Sequence, residues 1–292
     1  MAAAASSPAA LDEIAAHLGD YVELKDLGPI SEYLSVTITF DEEQSIFLLS
    51  QEQYILQLLA DYDMHSCIPV HTPILITDKL KWYQEDTPLL DDPSTRHYQA
   101  LIGSLLYLMH VTRPDIAFTV IHLSQFAAHP RQCHWSALKR VLDYLKGTSA
   151  TVLTPSDLSK ISNYNKLIGY FDAAHPDHMD YRSTCGYVFL LFGSLVSWLS
   201  KVQTTVALST TEAELVAGTE AAREGIWIKS FTDSLLSLDA ASSLSLACEL
   251  RGDNQGSLAI AMNPVYHHPT KHINIRHRVL CDVVNDGTVT VK

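Results

Sequence analysis

No run of apolar residues in this 292-residue chain approaches the roughly 20 needed to cross a bilayer, so no membrane-spanning helix is expected. The cysteines (Cys67, Cys133, Cys185, Cys248 and Cys281) are scattered, odd in number and without a C-x-x-C pair. That pattern argues against a disulfide framework and against a thiolate zinc site, and it fits a reducing intracellular setting, cytoplasmic or nuclear. Met1 to Leu18 is rich in alanine but lacks lysine and arginine, and it carries Asp12 and Glu13. An ordinary helix is therefore expected there, not a secretory or organelle-targeting segment. Positive charge is scarce: 20 Lys and Arg stand against 33 Asp and Glu, a formal net charge of -13. Proteins that bind polyanions usually carry a basic footprint, so charge alone points away from nucleic acid. Most of the excess acid lies early, with 11 basic and 20 acidic residues before Leu167, and 9 and 13 from there on. What the chain has in quantity is apolar material, 47% of residues, enough for one or two cores.

Three segments follow from the hydrophobic periods. From Leu11 to Pro73 the pattern reads as a helix, a turn at Gly28-Pro29, a strand Tyr33 to Phe40, a strand Ile46 to Leu49 and a helix Gln51 to Tyr62. Ser50 is the expected N-cap of that helix. Between Thr72 and Pro93 proline, aspartate and threonine accumulate, which predicts an irregular arm. Tyr98 to Gly147 is helical, with breaks at Arg113-Pro114 and after Ala127. Its last helix carries Lys139, Arg140 and Lys146 beside Trp135 and Tyr144, opposed only by Asp143. This face is a candidate phosphate contact or simply a solvated surface. The third segment alternates strands (Leu167 to Phe171, Cys185 to Phe192, Leu195 to Leu199, Leu244 to Leu250, Thr288 to Val291) with helices (Thr210 to Leu236, Gln255 to Met262, His272 to Asn285). A mixed α/β sheet with flanking helices is expected.

Three acidic residues stand at element ends that such a sheet could bring together: Asp172, Glu214 and Asp253. Converging carboxylates need cations to remain ionised, and hard divalent ions, Mg²⁺ above all, suit oxygen ligands. A pair of such ions can activate water and stabilise the leaving oxygen in phosphodiester cleavage. Each residue also has a structural reading. Asp172 suits a turn before Ala173-Ala174, and Asp253-Asn254 suits the cap of the next helix. Glu212 rivals Glu214, lying three residues after Ser209 in a capping-box pattern. The two glutamates are about 200° apart around a helix, so only one can face the sheet. His267, His268, His272 and His277 crowd one region, but without a cysteine pair they make a poor zinc site.

Tyr98 to Leu108, Thr112-Arg113-Pro114-Asp115-Ile116-Ala117 and His134 to Thr148 resemble the connecting region of copia-type retrotransposon Pol polyproteins. Arg182 to Phe189, Ser197 to Gln203, Ser209 to Leu215, Asp253-Asn254-Gln255, Asn263-Pro264 and Thr270 to Ile273 are similar to the ribonuclease H blocks of that family. Lys25 to Gly28 and Leu49 to Ile55 resemble the end of its reverse-transcriptase palm. The resemblance runs in order along nearly the whole chain. It implies a ribonuclease H-like mixed sheet with flanking helices at residues 161–292. A helical thumb or connection would precede it at 76–160, and the end of a palm at 1–75. It further implies Asp172, Glu214 and Asp253 as metal-binding catalytic carboxylates for Mg²⁺ or Mn²⁺, hydrolysing RNA in an RNA–DNA hybrid. Lys139, Arg140, Lys146, Lys201, Gln203, Asn254 and Gln255 are the expected nucleic-acid contacts.

The departures qualify those expectations. Ala174 and His175 stand where the family usually reads Asp-Trp, and Asn274 stands where His-Ile-Asp would end. The family's fourth metal-binding carboxylate has no counterpart, so two-ion hydrolysis is expected to be weak or lost. The alternative is a non-catalytic protein of the same fold that binds nucleic acid or a protein partner. No Tyr-x-Asp-Asp motif occurs, and the fingers and most of the palm are missing upstream, so no polymerase activity is expected.

Overall fold

The computed structural model describes residues 7–25, 27–41, 43, 46–75, 86–154, 166–174, 181–236, 247–262 and 274–292, at 8, 236 and 274–278 for the backbone alone. Helix α1 (Pro8–Gly19) starts on Ser7, whose hydroxyl accepts from the Ala10 N–H. A small antiparallel sheet follows, β1 (Glu32–Tyr33), β2 (Val36–Asp41) and β3 (Ile46–Ser50). The single strand expected from Tyr33 to Phe40 is broken at Leu34 and Ser35, which both adopt positive φ and turn the chain. Helix α2 (Glu52–Asp61) is capped by Gln51 without a side-chain bond, and Ser50 instead accepts from the Glu52 N–H.

Helix α3 (Asp92–Val111) begins six residues before the expected start at Tyr98. Asp91 accepts from the Ser94 N–H, and Pro93 sits in the first turn, where its missing N–H costs nothing. After a 3₁₀ turn (Pro114–Ile116) come α4 (Ala117–Ser124) and α5 (Gln132–Gly147). Leu101, Leu105 and Leu108 of α3 share one core with Ile55 and Leu59 of α2, Val120 and Leu123 of α4, and Leu138, Val141, Leu142 and Leu145 of α5.

The second core lies under a five-stranded mixed sheet. Its strands are β4 (Lys166–Ala174), β5 (Thr184–Leu191), β6 (Ser194–Val202), β7 (Ala247–Arg251) and β8 (Val289–Val291), in the order β6-β5-β4-β7-β8. β4, β5 and β6 pair antiparallel, and β7 and β8 join parallel. The helices are α6 (Thr210–Leu236), α7 (Gln255–Met262) and α8 (Asn274–Asn285). Alternation along β4 buries Leu167 and Phe171 while Tyr170 and Asp172 stay exposed. The inward set packs with Phe189, Leu250 and Ala217, Ala221 and Ala222 of α6. Small residues on that helix face let it lie close to the sheet. This is the mixed sheet with flanking helices that the resemblance implied. Two polar bonds tie the cores together. The Trp198 indole N–H donates to the Met109 carbonyl at 2.6 Å, and the His122 ring lies 3.2 Å from the Thr184 hydroxyl.

Candidate active site

Parallel pairing of β4 with β7 puts the ends of both strands on the same edge of the sheet. Asp172 lies near the end of β4, and Asp253 follows β7 by two residues. Gly252 makes that exit tight, since a Cβ there would lie 2.6 Å from the buried Phe171 ring. Helix α6 then brings its first turn to the same edge, with Glu214 facing the sheet at 4% exposure. One carboxylate oxygen from each of Asp172, Glu214 and Asp253 lies within 4.8 Å of the other two.

The competing readings resolve from local contacts. Glu212 accepts from the Leu208 N–H at 2.7 Å while its own N–H donates to Ser209, so it completes the start of α6. Capping of α7 falls to Asn254, whose side-chain oxygen accepts from the Ser257 N–H at 2.9 Å. Asp172 is paired in the sheet opposite Gly186, not in a free turn.

Glu214 is held by a donor that residue types could not reveal, the backbone N–H of Ala173, at 3.1 Å from Oε1. The same N–H lies 2.7 Å from an oxygen of Asp172. Oε2 of Glu214 is buried without a hydrogen-bond partner. Burial, reinforced by the neighbouring Asp172 and Asp253 carboxylates, pushes the Glu214 carboxyl up to about 7. Three acids this close cannot all stay ionised without a cation. Asp172, Glu214 and Asp253 would each offer one carboxylate oxygen to a divalent ion held here. The donor set, all oxygen, suits Mg²⁺ or Mn²⁺.

Among the expected contact residues, Lys139 is exposed with its ammonium over the Trp135 ring. Arg140 donates to Thr72, and Lys146 is half-buried on the same helix. Lys201 pairs with Glu220 at 3.7 Å, and Gln255 is exposed beside the capping Asn254. Gln203 is only 2% exposed, its amide donating to the Ala213 carbonyl. His175, His267, His268 and His272 and the side chains of Asn274 and His277 lie outside the described residues. Among the described residues no helix is long and apolar enough to cross a membrane.

No protein-family model matches the chain. It is 36% identical over 272 residues to the retrovirus-related Pol polyprotein from transposon TNT 1-94 of Nicotiana tabacum, spanning 92% of this chain and 20% of that one. It is 32% identical over 223 residues to the putative transposon Ty5-1 protein YCL074W of Saccharomyces cerevisiae, spanning 76% of this chain and 70% of that protein. Among solved structures, LC11-RNase H1 aligns at 16% identity and a TM-score of 0.33, over 44% of this chain and 83% of that one. The chain thus spans about a fifth of the length of the tobacco polyprotein. Sequence similarity over most of its length, in agreement with the motifs read above, places the chain in the family of retrovirus-related Pol polyproteins of plant and yeast transposons.

Proposed function

We propose that the sheet domain is a ribonuclease H-type nuclease whose three carboxylates bind one divalent ion well and a pair of ions poorly. It hydrolyses the RNA strand of an RNA–DNA hybrid slowly and carries no polymerase activity. The observation that carries this reading is the convergence of Asp172, Glu214 and Asp253 within 4.8 Å at one sheet edge. A bound Mg²⁺ or Mn²⁺ supplies charge for the attacking water and the leaving oxygen. The chain's own part is to hold that site in place. Ala173 N–H fixes Glu214, the β4–β7 pairing fixes the two aspartates, and burial of Glu214 excludes water from one side.

Hybrid recognition follows the same economy. Lys139, Arg140, Lys146 and Lys201 offer positive charge to phosphates, while Asn254 and Gln255, which follow Asp253 in the chain, offer amide groups for the sugar edge. Such contacts read A-form shape and 2′-hydroxyls more than sequence. The acidic net charge keeps binding weak and strongly salt-dependent. Residues 1–75 and 76–160 serve as palm end and connection.

The test incubates purified protein with a labelled RNA–DNA hybrid in Mg²⁺ and in Mn²⁺, beside Asp172→Asn. Slow cleavage, lost in the variant, is the expected result. Cleavage that Asp172→Asn leaves intact would remove the site assignment. Hybrid binding without cleavage in either ion, from folded protein, would favour the non-catalytic reading of the same fold.

A further inference from the structure

Gln203 follows the last residue of β6, and its backbone N–H donates to the Ser183 carbonyl at 2.8 Å, carrying the β5–β6 ladder one residue further. Its side chain turns inward, towards α6. Nε2 donates to the carbonyl of Ala213 at 2.9 Å, and Ala213 is wholly buried in the first turn of that helix. A carbonyl can only accept, so the amide orientation is fixed by its partner. The consequence is that Oε1 of Gln203 is buried with no hydrogen-bond partner.

A buried amide with its oxygen unmet is a poor way to stabilise a fold. An apolar side chain of similar length would fill the same space without that cost. What only the amide provides is a directional bond between the sheet and one peptide of the helix. That peptide joins Ala213 to Glu214. A second tether acts from the other side, where the Ala173 N–H holds Oε1 of Glu214. Metal ligands must be held to fractions of an ångström, and groups one bond removed from the ligands commonly set that precision.

We infer that Gln203 is a positioning residue for the carboxylate site. Its bond to the Ala213 carbonyl fixes the height and rotation of the first turn of α6, so that Glu214 meets Asp172 and Asp253. This rests on the reading of those three carboxylates as a divalent-cation site. It also gives Gln203 an inward task, in place of the substrate contact expected from its position in the sequence.

The test uses the full chain, titrated with Mn²⁺ alone and followed by calorimetry or by the spectrum of free Mn²⁺. Gln203→Met keeps the length and removes both the donor and the unmet oxygen, and Gln203→Leu serves if the first variant does not fold. Both are titrated well below their melting temperatures, with circular dichroism confirming the fold. The expected result is a melting temperature equal to or above that of the wild type, with Mn²⁺ affinity reduced about tenfold. Unchanged Mn²⁺ affinity in a folded variant overturns the role of Gln203, whether or not the melting temperature falls. A wild-type chain that takes up no Mn²⁺ overturns the metal reading itself, and this inference with it.

Discussion

Arg113 offers the sharpest test of how the helical core is built. Its side chain is 1% exposed, and its guanidinium makes a two-point bond to Asp115, with Nε and Nη2 at 3.0 and 2.7 Å. The remaining donors reach the Thr148 carbonyl at 3.0 Å and the Thr148 hydroxyl at 2.6 Å. Tyr144 closes the group, its hydroxyl donating to Asp115 and its ring lying under the guanidinium. The bonds and charge of Arg113 outweigh the burial of Asp115 and hold its carboxyl below the usual range. The cluster thus ties the break after α3 to the end of α5. Arg113→Met preserves most of the stem but leaves Asp115 without its counter-charge and the Thr148 hydroxyl without its donor, while the Thr148 carbonyl keeps only the Thr151 N–H. Removing one partner of a buried pair costs about 3–5 kcal/mol, and the partial exposure of Asp115 places this case near the lower end. Roughly 3 kcal/mol corresponds to a fall in Tm of about 6–12 °C for a chain of this size. Urea unfolding followed by tryptophan fluorescence and circular dichroism measures it. Adding Asp115→Asn to the variant should restore part of the loss, because the unpaired charge goes with it. A loss below about 1 kcal/mol in the single variant, or no recovery in the double, would refute the claim that the pair is buried and coupled.

Other substitutions probe the sheet. Gly169→Ala would drive a methyl into the Phe189 ring and to 2.7 Å from a Leu250 methyl, both side chains fully buried, so a loss of about 1–3 kcal/mol is expected by thermal melt. Glu249 is ringed by Lys292 at 2.8 Å, Arg251 at 2.6 Å and Lys166 at 3.6 Å. The hydrogen bond from Lys292 leads in holding its carboxyl down to about 2. Because the folded value lies below the unfolded one, this stabilisation is complete above about pH 4.5 and is lost as pH falls towards 2. It amounts to roughly 3 kcal/mol at most, and Glu249→Gln should flatten that part of the acid-denaturation curve. Trp198→Phe removes the indole bond to the Met109 carbonyl, and a loss of about 1 kcal/mol in unfolding free energy is expected by urea titration, with a near-zero effect counting against the bond.

The sequence was sufficient for whatever depends on neighbours along the chain. The helices at Thr210 and Gln255 begin where expected, because Ser209 and Asn254 cap them from the residue just before each. Helix α3 began early for an equally local reason, a cap at Asp91 and a proline in the first turn, inside a stretch read as an arm. The strand from Tyr33 failed at Leu34-Ser35 because residue types alone do not announce positive φ at leucine and serine.

The three carboxylates were visible as types at element ends, and family resemblance singled them out. Local reasoning left Glu212 against Glu214, and catalytic aspartate against helix cap. Only the folded chain shows which of these groups cap helices and which converge. Parallel pairing sets Asp172 beside Asp253, the rotation of α6 turns Glu214 inward, and Ser209, Leu208 and Asn254 settle which groups do the capping. Such contacts join residues far apart in sequence, through backbone groups such as Ala173 N–H that every residue shares. The same limit hid the inward task of Gln203, since a glutamine in a sequence does not say which carbonyl it will meet.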